Sequence, residues 1–285
     1  MTRRVVLLGK PLRRRHSVVM HNAAFAAAGI DAEYVLAELE ESEVAPAVAA
    51  ARGPQSLGLG VTAPYKALVA GLVDEVEGDA RTIGAVNNVV RTHDGRLIGF
   101  NSDAPGFRAG VELALGGPID GLEVVVAGAG GAAHAVIFAL LAAGAARVTV
   151  ASRSVDRGQA LLERFRAVGS AERGAVDIDG ESIASALSTA DLAVNATSVG
   201  MIDPGAAFDV EQLPDHATVF DLVYVPAETP LVAAARARGL RVANGSEMLI
   251  QQAAIAFERW TGVSGMAGTM RAAEAPLLAD ATVLA

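Results

Sequence analysis

At 285 residues the chain is long enough to bury one large core or two ordinary ones. Its formal net charge of −9 argues against general nucleic-acid binding, which rewards clustered Lys and Arg. Hydrophobic residues make up 52 %, yet no apolar run approaches the ~20 residues that a membrane-spanning helix needs. No cysteine is present, which excludes disulfides and thiolate chemistry.

The opening MTRRVVLLGKP faintly imitates a secretory signal, but Gly9-Lys10-Pro11 cuts the apolar run short and a strand is the better reading, so a cytosolic location is expected. HNAAFAAAGI then predicts a helix ending at Gly29, AEYVLAEL a strand, SEVAPAVAAARG a helix, and LGLGVTAPYK a strand entering a loop. Short Val- and Leu-rich runs between Ala-rich helical stretches suggest parallel strands covered on both faces. AVNNVVRTHDGRLIGFNSD breaks the rhythm with a hairpin, its turn marked by Asp94-Gly95. A composition shift between Asn101 and Gly110 marks a domain boundary. Beyond it, GLEVVVAGAGGAAHAVIFALLAAGAARVTVASRS has the span of one strand–helix–strand unit. ADLAVNATSVGM and ATVFDLVY add strands with polar C-terminal ends, and from SEMLIQQAAIAFERWTG onward the chain reads as mostly helical.

Gly128-Ala129-Gly130-Gly131-Ala132-Ala133 fits G-x-G-x-x-A directly after a strand and at the opening of a helix. Glycines there let the backbone turn sharply and approach a diphosphate, which sits at the positive helix end. The following strand ends in Ala151-Ser152-Arg153-Ser154, with Arg157 a turn later and no acid at the tip. An acid would bind the ribose 2′-hydroxyl of NAD, whereas cationic and hydroxyl partners suit the 2′-phosphate of NADP. NADP is therefore expected, with NAD possible. Asp156 either weakens that preference or simply complements the dipole of its own helix.

Together the motifs GKPL…HSVVMHNAAF, VTAPYK, GAVNNVV, GFNSDAPGF, GAGGAAHA, SRS, NATSVGM, DLVYVPAETPL and MLIQQAAIAFERWTG resemble, in order and spacing, the shikimate dehydrogenase family over nearly the whole chain. The resemblance implies an α/β protein with three parts. These are an N-terminal α/β substrate domain (1–104), a Rossmann-type doubly wound NADP domain (105–245), and C-terminal helices (246–285) that return to the first domain. It implies hydride transfer between NADP and a ring alcohol of a small cyclohexene carboxylate bound between the two domains. The family's catalytic lysine and aspartate map onto Lys66 and Asp103. Oxidising a secondary alcohol releases a proton from oxygen as hydride leaves carbon, so a group beside the hydroxyl must exchange protons; burial lowers a lysine's pKa and a neighbouring aspartate raises it. The same carry-over gives substrate roles to Thr62, Asn87, Tyr224 and Gln252, whose polar groups suit ring hydroxyls. It assigns Asn195, Ala196, Thr197 and Met248, beside Gly128 to Ala132, to the cofactor.

The chain departs from the family in places. Where the family has Ser-x-Ser-Pro, Arg15, Ser17 and Val18 stand, so one hydroxyl of the carboxylate site becomes a guanidinium. Arg15 either binds the acid group through charge-assisted bonds or faces solvent like Arg13 and Arg14. Gly60 stands where asparagine is frequent, and Glu247 replaces a common glycine before Met248. These differences leave shikimate, quinate and an amino analogue open as substrates. A ligand sensor that binds dinucleotide without turnover is the non-enzymatic alternative. His16 and His21 have no third metal ligand at suitable spacing, His134 reads as a helix residue, and no metal is expected. Expected partners are a small ring carboxylate, neither nucleic acid nor membrane, and at most a second copy of the chain, as a monomer or homodimer.

Overall fold

The computed structural model describes residues 2–12, 15–201 and 203–279; Arg13 and Arg14 lie outside the described residues. The first stretch runs β1 (Arg3–Gly9), α1 (His16–Ala27), β2 (Ala32–Glu38), α2 (Glu41–Ala50), β3 (Ser56–Val61), α3 (Lys66–Ala70), β4 (Glu75–Val76), α4 (Asp79–Ile83), β5 (Asn88–Arg91) and β6 (Leu97–Phe100). After α5 (Asp103–Leu115) follow β7 (Glu123–Ala127), α6 (Gly131–Ala142), β8 (Arg147–Ser152), α7 (Val155–Arg164), β9 (Glu172–Asp177), α8 (Ser182–Leu187), β10 (Leu192–Asn195), β11 (Thr218–Asp221), α9 (Pro230–Ala237) and β12 (Arg241–Asn244). The chain closes with α10 (Ser246–Thr261) and α11 (Ala267–Ala279). It packs as two compact units, one comprising the residues up to Asp103 together with Ile250–Leu277, the other Ala104–Leu249 with the described residues from Leu278 on. The C-terminal helices thus rejoin the first unit, and Ser246 to Leu249, at the start of α10, stand with the second.

The first unit holds a six-stranded sheet in the order β2-β1-β3-β5-β6-β4. Its β2, β1 and β3 are parallel, whereas the β5–β6 hairpin enters antiparallel to β3. Gly95, in the turn read from the sequence, has φ +84°, which a side chain would resist. One sheet face buries Leu8, Leu59, Val61 and Val89 with Val44, Val48 and Val69 from α2 and α3. By cross-strand register the other face carries Tyr34, Gly58, Gly60, Thr62 and Asn88. Aromatic rings cover it: Phe25 of α1 lies 5.0 Å from Phe257 of α10, and the Trp260 indole donates to the Val89 carbonyl at 2.9 Å. In α10 the buried apolar positions are Ile250, Ala253, Ala256, Phe257 and Trp260, the stripe of a helix laid on a core. Gly58 admits the indole, since a Cβ there would stand 2.8 Å from Trp260 Nε1.

The second unit is a fully parallel sheet in the order β12-β11-β10-β7-β8-β9. Counting from β7, this is the doubly wound dinucleotide-binding order, with the reversal of direction between β7 and β10. Of α6, eight residues between Ala133 and Leu141 are buried, which explains why it is apolar nearly all round. The edge strands β9 and β12 escape the sequence reading. ERGAVD and RVAN are short and polar, as edges that must not recruit another chain tend to be.

His21 sits under the covered face, 3 % exposed, with its ring stacked 4.4 Å from Tyr34. Burial depresses its pKa from 6.5 to about 3. Above pH 6.5 the ring is neutral in both folded and unfolded chains; below it only the unfolded chain takes up the proton. Stability therefore falls on acidification towards pH 3 by about 1.4 kcal/mol per pH unit from this group. Chemical denaturation of His21→Phe between pH 6.5 and 4 should show a correspondingly flatter loss; an unchanged slope would contradict the assignment.

Candidate active site

In the first unit, β6 runs out through Asn101 and Ser102 into α5, whose first residue is Asp103. Lys66 opens α3, just after the turn that leaves β3. Lys66 Nζ donates to Asp103 Oδ2 at 2.7 Å, with the lysine side chain 32 % exposed and the aspartate 14 %. The other carboxylate oxygen, Oδ1, accepts from Asn87 Nδ2 at 2.7 Å, and the Asp103 backbone N–H donates to Asn101 Oδ1. Asn87 in turn donates to Ser102 Oγ and accepts from the Ser102 backbone and from Asn88 Nδ2. The amide that the resemblance gives to the substrate is thus already engaged in holding Asp103. Asn88 and Ser102, which sequence reasoning did not single out, complete the network through a 2.8 Å bond. Their signal was the pair of asparagines opening an otherwise apolar strand: both are buried, and buried amides require partners.

The remaining predicted substrate residues separate by unit. Arg15 precedes α1 with its side chain exposed, Ser17 lies half-buried in the first turn of α1, and Gln252 is half-buried on α10. Thr62 follows β3, and its methyl group occupies the space over Gly9, where a Cβ would stand 2.3 Å from it. These belong to the first unit, whereas Tyr224, half-buried after β11, belongs to the second.

In the second unit, Gly128 follows β7 with φ +107°, and a Cβ there would lie 2.9 Å from Thr197 and 3.1 Å from the Ala196 carbonyl. The turns after β7 and β10 therefore meet at the reversal point of the sheet, and only glycine fits. Around Gly130 and Gly131, both exposed, a Cβ would meet nothing within 4 Å, so the mouth of α6 is open. That combination of a tight back and a bare front fits a diphosphate. At the end of β8 the Ser152 hydroxyl donates to the Ser154 carbonyl, and Ser154 Oγ caps α7 by accepting from the Arg157 backbone. Arg153 and Arg157 are exposed, and among the described residues neither has an ion-pair partner. Met248 lies in the first turn of α10, its backbone nitrogen 3.1 Å from where a Cβ on Gly110 would be.

Asn195 is fully buried and bonds inward. Its amide nitrogen donates to Asp221 and the Val199 carbonyl, and its oxygen accepts from the backbone and hydroxyl of Thr197. Asp221 also accepts from Thr229 Oγ1 at 2.6 Å and from the Val223 backbone. Burial pushes its carboxyl above the usual range, against the pull of those hydrogen bonds. Asn195 thus shapes the turn that presents Ala196 and Thr197. The Asp221–Thr229 partnership was absent from the sequence reading, although Thr229-Pro230 is a recognisable helix start.

Among the described residues no group of three or more His, Asp or Glu is placed to hold a metal ion, and no helix is long and apolar enough to cross a membrane. A lysine–aspartate pair in one unit and a glycine turn at the reversal point of a doubly wound sheet in the other point to a dinucleotide-dependent α/β protein. Three family models match in order along the chain. They are the shikimate dehydrogenase substrate binding domain over residues 7–89, shikimate/quinate 5-dehydrogenase over 113–222, and the shikimate 5′-dehydrogenase C-terminal domain over 245–273. The chain is 40 % identical over 276 residues to the shikimate dehydrogenase (NADP(+)) of Geobacter sulfurreducens, covering 95 % of each chain. Among solved structures, the quinate dehydrogenase of Corynebacterium glutamicum in complex with NAD is 36 % identical with a TM-score of 0.89, covering 96 % of this chain and 99 % of that one. The shikimate 5-dehydrogenase of Thermus thermophilus in complex with NADP(H) and shikimate is also 36 % identical, with a TM-score of 0.83 and coverage of 95 % and 100 %. The chain belongs to the shikimate dehydrogenase family.

The Asn87 network sets a testable cost. Asn87→Ala leaves Asp103 Oδ1 and the Ser102 N–H short of a partner, so urea denaturation should show a loss of about 1–3 kcal/mol. No loss would mean that water replaces the amide without penalty.

Proposed function

We propose that this chain is an NADP-dependent shikimate dehydrogenase, which moves hydride reversibly between NADP(H) and the ring carbon that carries an alcohol in shikimate and a ketone in 3-dehydroshikimate. The observation that carries this reading is the Lys66–Asp103 pair at 2.7 Å, one oxygen of the carboxylate locked by Asn87 and the other facing the amine. In the reducing direction the Lys66 ammonium donates a proton from Nζ to the carbonyl oxygen; in the oxidising direction the neutral amine takes it back. Asp103 orients Nζ and balances its charge. Ser17 and Arg15 bind the ring carboxylate, Arg15 through charge-assisted bonds. Thr62, Gln252 and Tyr224 contact ring hydroxyls, and Asn87 serves the same wall through its hold on Asp103.

The first unit is thereby the substrate domain and the second the cofactor domain. NADP, when bound, supplies or accepts the hydride. Gly128, Ala129, Gly130, Gly131 and Ala132 would hold its diphosphate, supported by the open mouth of α6. Arg153 and Arg157, exposed and without a carboxylate partner among the described residues, would hold the 2′-phosphate, with Ser152 and Ser154 shaping the turn between them. Ala196, Thr197 and Met248 would flank the dinucleotide. The 36 % identity to a quinate dehydrogenase, the same as to the Thermus thermophilus shikimate 5-dehydrogenase, supports a second reading, in which the ring acid is quinate.

Steady-state assays with shikimate, quinate and an amino analogue, each with NADP and with NAD, test the proposal. Shikimate with NADP should give the highest kcat/KM; no reduction of either cofactor by any ring acid would overturn it in favour of a non-catalytic binder. Arg153→Ala should raise KM for NADP by roughly tenfold or more, the worth of a charge-assisted hydrogen bond, and leave KM for NAD unchanged. Equal changes for both cofactors would remove Arg153 from the 2′-phosphate site.

A further inference from the structure

Tyr34 stands on β2, yet its hydroxyl lies over β3. A Cβ built on Gly60 would fall 2.5 Å from the Tyr34 oxygen and 3.0 Å from Leu7 of the intervening β1. The ring spans the sheet face only because position 60 is bare. Two further observations show that the hydroxyl is not used within the protein. Tyr34 is 3 % exposed, and among the described residues its hydroxyl makes no hydrogen bond, although its backbone is fully paired with Asn22. Burial alone raises its pKa, with no hydrogen-bonding partner contributing. The ring is packed away while the oxygen, which is not among the fully buried unpaired atoms, keeps an edge open to solvent, so it is free to bond a small molecule that arrives there. The ring cannot swing away easily, because His21 stacks on it at 4.4 Å and 21°, with Trp260 5.1 Å from His21 behind them.

The hydroxyl also stands in the right neighbourhood. Gly60 precedes Thr62 by one pleat on the same face and pairs across the strands with Asn88. Asn88 bonds to Asn87, which holds Asp103, and to the neighbouring Ser102. We infer that the Tyr34 hydroxyl is a specificity-determining contact, which bonds a hydroxyl of the bound ring acid at the wall formed by position 60, and that Gly60 is glycine to let it through. A phenol donates and accepts, so it suits a neutral ring hydroxyl and not the carboxylate.

This inference rests on the dehydrogenase reading, so the test separates the two. Wild-type turnover is measured first with shikimate and quinate; no turnover with either overturns the parent reading and this one with it. With turnover established, Tyr34→Phe removes the oxygen and keeps the stacked ring. KM for the preferred ring acid should rise about five- to tenfold, the worth of one hydrogen bond, with KM for NADP unchanged and thermal stability equal or higher. Gly60→Ala, which displaces the hydroxyl, should raise the same KM, and the double variant should add little to either. A KM for the ring acid within twofold of wild type in Tyr34→Phe would overturn the inference.

Discussion

Asp103 is fixed from three directions, and the first unit is arranged around that fact. Its backbone is held by Asn101, one oxygen by Asn87 and the other by Lys66. Those partners come from separate segments, so the register of two strand pairs decides whether they meet. In the hairpin, Asn88 faces Phe100, which sets Asn87 beside Ser102 and Asp103. Between β3 and β5, Gly60 faces Asn88, which brings the turn carrying Lys66 alongside. A slip of one residue in either pairing would turn every side chain to the opposite face and break the network. The buried amides Asn87 and Asn88 make such a slip expensive, because each would lose its partners inside the protein.

The second unit solves a different problem, that of leaving backbone open at the mouth of α6 without loosening the sheet. The reversal of strand order between β7 and β10 leaves two turns side by side, and Gly128 lets them touch. Behind them Asn195, Asp221 and Thr229 tie the ends of β10 and β11 to the start of α9. A wholly buried carboxylate is a costly element in a fold, and here three donors satisfy it. The result is a rigid rear wall with exposed glycines in front.

Much of this was legible in the sequence because it is local. Val- and Leu-rich runs mark buried parallel strands, Asp94-Gly95 marks the hairpin, and the glycine turn marks the strand-to-helix junction at the reversal point of the second sheet. The edge strands β9 and β12 were not legible, since their residues are mostly only half-buried and lack an apolar pattern. The start of α1 at His16 also preceded the expected helix, because Arg15 offers no side-chain cap to announce it. Lys66 and Asp103 were marked by family resemblance, but their 37-residue separation is bridged only by strand pairing. The reach of Tyr34 across β1 to Gly60 is legible nowhere in the pattern. It depends on one missing side chain two strands away.

The central claim is that Lys66 Nζ, held by Asp103, moves the proton while other groups bind the ring acid. The most direct measurement is a comparison of kcat and KM for shikimate oxidation by the wild type and Lys66→Met. General acid–base catalysis of this kind is worth about 10²- to 10⁴-fold, so kcat should fall by that factor while KM for shikimate changes by no more than about threefold. A kcat that survives within about threefold, whatever happens to KM, would place the proton carrier elsewhere.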